Sequence, residues 1–110
     1  MEIKELKREN NLLTAALKGR MDAITATEFT TQLESWIEEK QKNFTIDCSQ
    51  LDYISSAGLR AILIIAKKVR ALDGQLQLAA LQESVQTVFE ISGFDKIIPI
   101  FASLDDAATK

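Results

Sequence analysis

The sequence predicts an α/β fold in which a mixed, mostly parallel sheet of four to five strands carries about four helices. Segments typical of strands alternate with segments typical of helices along nearly all of the 110 residues. Such alternation favours parallel strands joined by right-handed crossovers. With 46% hydrophobic and 26% charged residues and a single proline, the composition is that of an ordinary globular protein. We therefore expect one domain over residues 1–110.

The first half of the chain predicts two strands, a helix and a third strand. The segments "IKELKRE" and "NLLTAALK" are expected to pair as a hairpin that turns at Asn10 and Asn11. Between Thr25 and Lys40 the apolar residues recur at helical spacing, which predicts the clearest helix of the chain. Its apolar stripe consists of Phe29, Leu33, Trp36 and Ile37. The segment "NFTIDCS" is rich in β-branched and aromatic residues and predicts a short strand.

The second half predicts two further pairs of helix and strand and a closing helix. "SSAGLRAILIIAKKVRAL" predicts a helix that ends at Asp73 and Gly74, and "QLQLAAL" predicts the next strand. "ESVQTVFEISG" predicts a helix that stops at Gly93, "KIIPIF" an edge strand, and "SLDDAAT" a short helix capped by Ser103. The expected core face of the longest helix consists of Ile62, Ile65, Val69 and Leu72, flanked by Leu59 and Ala66.

Two loops of this predicted sheet carry polar residues that could form a site. Asp22 lies in the loop after "LLTAAL", and the serines Ser55 and Ser56 lie in the loop after "NFTIDC". Both loops should follow the carboxyl ends of parallel strands. Ligand and partner sites of open α/β sheets occur at that edge.

Composition excludes several classes of function. A net charge of −3 gives no field that would attract nucleic acid. The longest apolar run, "AILIIA", is far shorter than the ~20 residues that span a bilayer, so we expect no membrane insertion and a cytoplasmic location. The chain contains no histidine, which removes the commonest general base and metal ligand, and we expect neither enzyme activity nor a cofactor or metal. The single Cys48 is interpreted as an inert core thiol.

The two serines admit a structural and a functional interpretation. Serine is among the best residues for capping a helix, so one of the two needs no further explanation. A second hydroxyl followed by Ala57 and Gly58 leaves backbone N–H groups approachable, and a phosphoryl group would be tolerated there. On the outward face of the same helix, Leu63 and Ile64 flank Arg60 and Lys67. Either neighbouring helices cover these apolar side chains, or a partner binds them.

The segment "IDCSQLDYISSAGLRAIL", with "GRMD" before it and "SGF" after it, resembles the STAS family of anti-sigma-factor antagonists. In that family the phosphorylated residue lies two positions before the Gly-Leu pair, which Gly58 and Leu59 match here. The resemblance therefore implies phosphorylation at Ser56. Ser55 stands where the family often has aspartate and is the second choice. Asp22 and Asp47 match two family acids.

The resemblance implies a switch without catalytic activity. The unphosphorylated protein would bind an anti-sigma factor that is also a serine kinase, and so release a sigma factor. Phosphorylation would block binding until a serine phosphatase reverses it, and the protein would be a monomer or weak dimer. The implied binding surface consists of Asp22, Ser55, Ser56, Ala57, Gly58, Arg60, Leu63 and Ile64.

Three alternatives remain open from the sequence. The protein could be a phosphorylation-independent STAS adaptor of a transporter or lipid-traffic system. It could also bind a nucleotide, although no phosphate-binding glycine motif is present. An enzyme with Ser55 or Ser56 as nucleophile is the least favoured, because no histidine exists to activate a serine.

Overall fold

The computed structural model describes residues 1–108 and contains a five-stranded sheet in the order β1-β2-β3-β4-β5. The strands are β1 (Glu2–Glu9), β2 (Leu12–Met21), β3 (Asn43–Ile54), β4 (Gln75–Ala79) and β5 (Ile100–Phe101). The helices are α1 (Ala23–Glu38), α2 (Ser56–Ala71), α3 (Glu83–Ser92) and α4 (Leu104–Ala108), with a 3-10 turn over Phe94–Lys96. β1 is antiparallel to β2, and the other pairs are parallel. The predicted fold class and element order are confirmed.

The opening hairpin turns at the two asparagines, as expected. Asn10 and Asn11 both have positive φ, 54° and 62°. This combination matches the two-residue turn that suits the twist of a hairpin, and asparagine tolerates it better than most residues. β1 then forms one edge of the sheet. Its charged side chains protect the free edge from pairing with other chains.

The core lies between the sheet and helices α1 and α2. Alternate residues of β2 and β3 point into it and are fully or almost fully buried; these are Leu13, Ala15, Leu17, Phe44, Ile46 and Cys48. The Trp36 ring of α1 stacks on Phe44, with ring centroids 6.2 Å apart. Burial raises the pKa of the Cys48 thiol to about 12. Cys48 is therefore a neutral core thiol at physiological pH, as the sequence indicated.

β3 is longer than the sequence predicted. The expected strand stopped at Ser49, but β3 continues to Ile54. It pairs with β4 only as far as Asp47, and its second half pairs with β2 alone, through two shifts of register. These irregularities and the polar residues of "SQLDY" break the period of two, which is why the pattern concealed the continuation.

The free edge of β3 beyond β4 is covered by the start of α3. The side-chain amide of Gln82 donates to the Ser49 carbonyl at 3.0 Å and to the Asp52 carboxylate at 3.1 Å. The backbone carbonyl of Ser49 thereby gains a partner that β4 no longer provides.

The prediction that Leu72 belongs to the core face of α2 is wrong. Its side chain is 46% exposed, while Ile62, Ile65 and Val69 are buried as expected. α2 ends at Ala71, and Leu72 leaves the helical path with φ −99° and ψ 14°, so its side chain does not continue the stripe. Two other predicted ends are confirmed: Gly93 terminates α3 with φ 80°, and the Ser103 hydroxyl accepts the N–H of Asp106.

Over residues 1–108, every helix is too short or too polar to cross a lipid bilayer.

Candidate functional site

The carboxyl ends of β2 and β3 lie side by side and bring the two predicted loops together. Met21 is the register partner of Ile54, and the next residue, Ser55, donates its backbone N–H to the Met21 carbonyl at 2.9 Å. Asp22 follows Met21 directly, so the first residues of α1 and α2 start from the same edge of the sheet. The expectation that Asp22 and the serines share one edge of the sheet is confirmed. They do not lie in loops, however, because β2 ends at Met21 and β3 ends at Ile54, directly before Asp22 and Ser55.

The two serines have different surroundings. Ser55 is the N-cap of α2, with extended backbone angles, and its Oγ accepts a hydrogen bond of 3.2 Å from the Gly58 N–H. Ser56 is the first residue of the helix and is exposed, and its side chain makes no hydrogen bond within the described residues. The cap therefore occupies one hydroxyl and leaves the other available.

Gly58 is required for the close approach of α2 to the strand ends. A Cβ atom at this position would lie 2.8 Å from Cγ1 of Ile54, 2.9 Å from Cγ of Met21 and 3.0 Å from the Met21 carbonyl oxygen. Real Cβ atoms rarely approach other atoms so closely. Gly58 itself is buried, so it does not form part of the exposed surface.

Asp22 is the N-cap of α1 and forms a capping box with Thr25. Its Oδ1 accepts the N–H groups of Ile24 and Thr25, each at 3.0 Å, while the Thr25 hydroxyl accepts the Asp22 N–H at 2.8 Å. The hydrogen bond from the Thr25 backbone is the main reason that the pKa of Asp22 lies below its ordinary value of 3.8. Asp22 thus stays ionised and fixes the direction of α1.

A groove of about 420 Å³ runs between α1 and α2 and is adjacent to Ser56. From α2 it is lined by Ala57, Arg60, Ala61 and Ile64. The Ile64 side chain is 51% exposed, although it is large and apolar. Across the groove the Lys68 ammonium pairs with the Glu34 carboxylate at 3.1 Å. The groove combines small apolar side chains with charged ones.

Leu63, expected at the binding surface, and Asp47, matched to a family acid of the preceding strand, do not line the groove. Leu63 is half-buried and packs against the core rather than lining the groove. Asp47, one of the matched acids, is located on another cleft, where its carboxylate accepts the Ser49 N–H at 2.9 Å. The groove therefore brings together Ala57, Arg60 and Ile64 beside the serines, without these two.

The α1 side of the groove was not predicted from the sequence. This wall consists of Ala23, Ala26, Thr27, Thr30, Thr31 and Glu34. Threonines and alanines do occupy the face of α1 beside its apolar stripe, and this pattern could have indicated the wall of a groove. A face of small and polar side chains is also typical of a helix surface in contact with solvent, so the pattern does not distinguish the two. Ile24, next to this wall, is 77% exposed and extends the apolar surface.

A cation–π contact lies near the strand ends and was also missed. The guanidinium carbon of Arg20 is 4.2 Å from the centre of the Tyr53 ring. The two residues are register partners on β2 and β3, so the contact links the strands one position before the site begins. The two residues are far apart in the sequence, and no local pattern predicts that they pair.

The fold and this arrangement of strand ends are those of a STAS domain. The model of the STAS domain family matches residues 4–107. The chain belongs to the STAS domain family.

Similar proteins carry names that refer to anti-sigma factors. The chain is 38% identical over 99 residues to the provisionally named anti-sigma factor antagonist BtrV of Bordetella bronchiseptica, covering 90% of this chain and 85% of the relative. It is 30% identical over 100 residues to the anti-sigma-B factor antagonist of Listeria monocytogenes, covering 91% of this chain and 86% of the relative.

Solved structures show the same fold at lower identity. An anti-sigma factor antagonist from Mycobacterium paratuberculosis matches with a TM-score of 0.84 and 22% identity, over 98% of this chain and 92% of that chain. The Bacillus cell fate determinant SpoIIAA, in its phosphorylated form, matches with a TM-score of 0.75 and 16% identity, over 98% of this chain and 97% of that chain.

Proposed function

We propose that this protein is an anti-sigma factor antagonist that is switched by phosphorylation of Ser56. In its unmodified form it binds an anti-sigma factor that is also a serine kinase, and the bound anti-sigma factor releases its sigma factor. Phosphorylation ends this binding, and a serine phosphatase restores it. The relatives named anti-sigma factor antagonists support the general role.

The observation that carries the choice of Ser56 is the difference between the two serine hydroxyls. Ser55 Oγ is engaged by the Gly58 N–H, whereas Ser56 is exposed and free of hydrogen bonds to the described residues. A kinase needs a hydroxyl that can enter its active site. Modifying Ser55 would first require loss of the cap, at a cost of about 1 kcal/mol.

The proposed binding surface is the groove between α1 and α2 together with its rim. Ile64 and Ile24 offer exposed apolar area, and the alanines at positions 23, 57 and 61 let a partner segment approach closely. Large exposed apolar side chains with a charged rim are typical of partner surfaces. Arg60 offers one cation to an acidic residue of the partner.

A phosphoryl group at this surface opposes binding because of its charge. It adds about −1.5 to −2 charges at pH 7 next to apolar area that a partner must cover. A partner that covers this area would have to strip water from that charge, which is costly. A penalty of about 3 kcal/mol corresponds to a loss of affinity of more than a hundredfold.

The proposal assigns the covalent chemistry to other proteins. The Ser56 oxygen attacks the γ-phosphorus of ATP held by the kinase, the bond to the β-phosphate oxygen breaks, and ADP leaves. The serine proton passes to a base of the kinase. This chain contributes an accessible hydroxyl and no general base.

Binding of the variants Ser56→Ala and Ser56→Asp to the cognate anti-sigma kinase tests the proposal, with Ser55→Ala as the matched control. We expect Ser56→Ala to bind as the wild type does and to resist phosphorylation, and Ser56→Asp to bind more weakly. If both Ser56 variants bound as tightly as the wild type and the wild type were not phosphorylated, a phosphorylation-independent adaptor would replace the switch.

A further inference from the structure

Arg60 is a cation without a partner close to the exposed serine. It is exposed on α2, one turn after Ser56, and makes no hydrogen bond or ion pair with any residue the structure describes. Two other cations of this helix are engaged: Lys68 pairs with Glu34 at 3.1 Å, and Arg70 donates to the Ile97 carbonyl at 2.9 Å. The Arg60 guanidinium is therefore free to bind an anion.

The helix directs Arg60 towards Ser56. Residues four apart on an α-helix are neighbours on one face, with Cβ atoms about 5–6 Å apart. Helical side chains lean towards the N-terminus of the helix, so a long side chain at position 60 covers the turn that begins at position 56. An acidic group four residues before a basic one is also the more favourable order for an ion pair within a helix.

We propose that Arg60 binds the phosphoryl group of phosphorylated Ser56 and is thereby withdrawn from the groove. The inference rests on the proposed function, since it concerns the same modification. Before phosphorylation the Arg60 guanidinium lines the groove and can meet an acidic side chain of the partner. After phosphorylation the guanidinium pairs with the phosphoryl group on Ser56 of the same helix. Modification then changes the surface twice, by adding an anion and by removing a cation.

The acidic groups near Arg60 do not compete strongly for it. The Glu34 carboxylate, on the opposite wall of the groove, is already paired with Lys68. The Asp22 carboxylate is held by the N–H groups of Ile24 and Thr25. A phosphoryl group with up to two charges and a guanidinium fork that can donate two hydrogen bonds form a stronger pair than either alternative.

The test is a phosphorus NMR titration of the whole protein with phosphoserine incorporated at position 56 during translation. The second pKa of an ordinary phosphoserine is about 6. We expect this pKa to be lower in the wild-type background than in Arg60→Gln by about half a unit, because the guanidinium favours the dianion. The difference should shrink in high salt.

Lys67→Gln is the matched control for the loss of one positive charge. Lys67 is exposed on α2 and lies on the same face as Ser56, but eleven residues and ~16 Å further along the helix. We expect its substitution to leave the phosphoserine pKa unchanged. Equal pKa values in wild type, Arg60→Gln and Lys67→Gln would overturn the pairing, as would equal shifts from both substitutions.

The titration also separates this inference from the proposed function, because it requires neither kinase nor partner. A lowered pKa that depends on Arg60 confirms the pairing. If the same phosphorylated protein still bound the anti-sigma kinase with unchanged affinity, the pairing would stand and the proposed switch would be wrong.

Discussion

The backbone N–H of Ser55 donates a hydrogen bond of 2.9 Å to the carbonyl oxygen of Met21. This bond joins the last residue of β2 to the N-cap of α2 and places it beside Asp22, the N-cap of α1. Both helices therefore begin at one point of the sheet edge, and the groove between them begins beside Ser56. The position of the exposed serine is thus a consequence of how two neighbouring strands end.

The two serines should respond differently to substitution by alanine. Ser55→Ala removes the cap of α2 and is expected to lower the free energy of unfolding by about 1 kcal/mol. Ser56→Ala removes an exposed hydroxyl without a partner and should change it by less than about 0.5 kcal/mol. Urea unfolding followed by circular dichroism measures both. Equal losses would mean that Ser55 is not the cap in solution.

Gly58→Ala should destabilise the protein although alanine favours helices. The added methyl group would lie within 3.0 Å of atoms of Ile54 and Met21. We expect overpacking of about 1–3 kcal/mol, offset by up to about 1 kcal/mol from helix propensity. The same unfolding experiment measures it, with Ser56→Ala in the same turn as control. A stability equal to or above that of the wild type would show that α2 can move away from the strand ends.

Asp22 should contribute to stability in a pH-dependent way. Its pKa in the folded protein lies below 3.8, so its contribution is present above the unfolded pKa and is lost as the pH falls through the folded pKa. Asp22→Asn keeps a side-chain oxygen that can cap α1 but does not titrate. We expect the wild type to unfold at higher urea concentration than Asp22→Asn at pH 7, and the difference to shrink as the pH falls below 3.8 and through the lowered pKa of the folded state. A difference in stability that does not depend on pH would contradict the assignment of this contribution to the ionised Asp22 carboxylate.

The exposed isoleucine of the groove should matter for binding and little for folding. Ile64 is 51% exposed at the groove, whereas Ile91 on α3 is 82% exposed and lies outside it. We expect Ile64→Ala to weaken binding of the anti-sigma kinase roughly tenfold or more, as a buried interface anchor would. Ile91→Ala should leave affinity unchanged. Calorimetry measures the affinity of both variants for the anti-sigma kinase. Equal changes in affinity for Ile64→Ala and Ile91→Ala would mean that the interface lies elsewhere.

The sequence predicted the element order because strand and helix patterns alternate along the chain. The hairpin turn at Asn10 and the helix ends at Gly93 and Ser103 are also strong local signals. The prediction from the sequence was wrong where pairing between distant strands, rather than the local hydrophobic pattern, decides the structure. The continuation of β3 to Ile54 depends on pairing with β2 and on shifts of register, neither of which a period of two can reveal. Leu72 was misplaced because the helix ends one residue before it.

The candidate site was predicted in part for a similar reason. Ser55, Ser56, Arg60 and Ile64 could be placed on α2 because one helix has a simple periodicity. The opposite wall, including Thr27 and Thr31, could not be placed, since it depends on how α1 packs against α2. Helix packing is set by contacts between distant parts of the chain, and a single sequence does not encode them in a periodic form.

The most direct measurement compares the affinity of the anti-sigma kinase for two forms of this protein, unmodified and carrying phosphoserine at position 56, by calorimetry. A third form with phosphoserine at position 55 serves as the control for charge and position. We expect the unmodified protein to bind, and phosphorylation at position 56 to reduce the affinity by more than a hundredfold, which corresponds to about 3 kcal/mol. Equal affinities of the unmodified and Ser56-phosphorylated forms would contradict the switch.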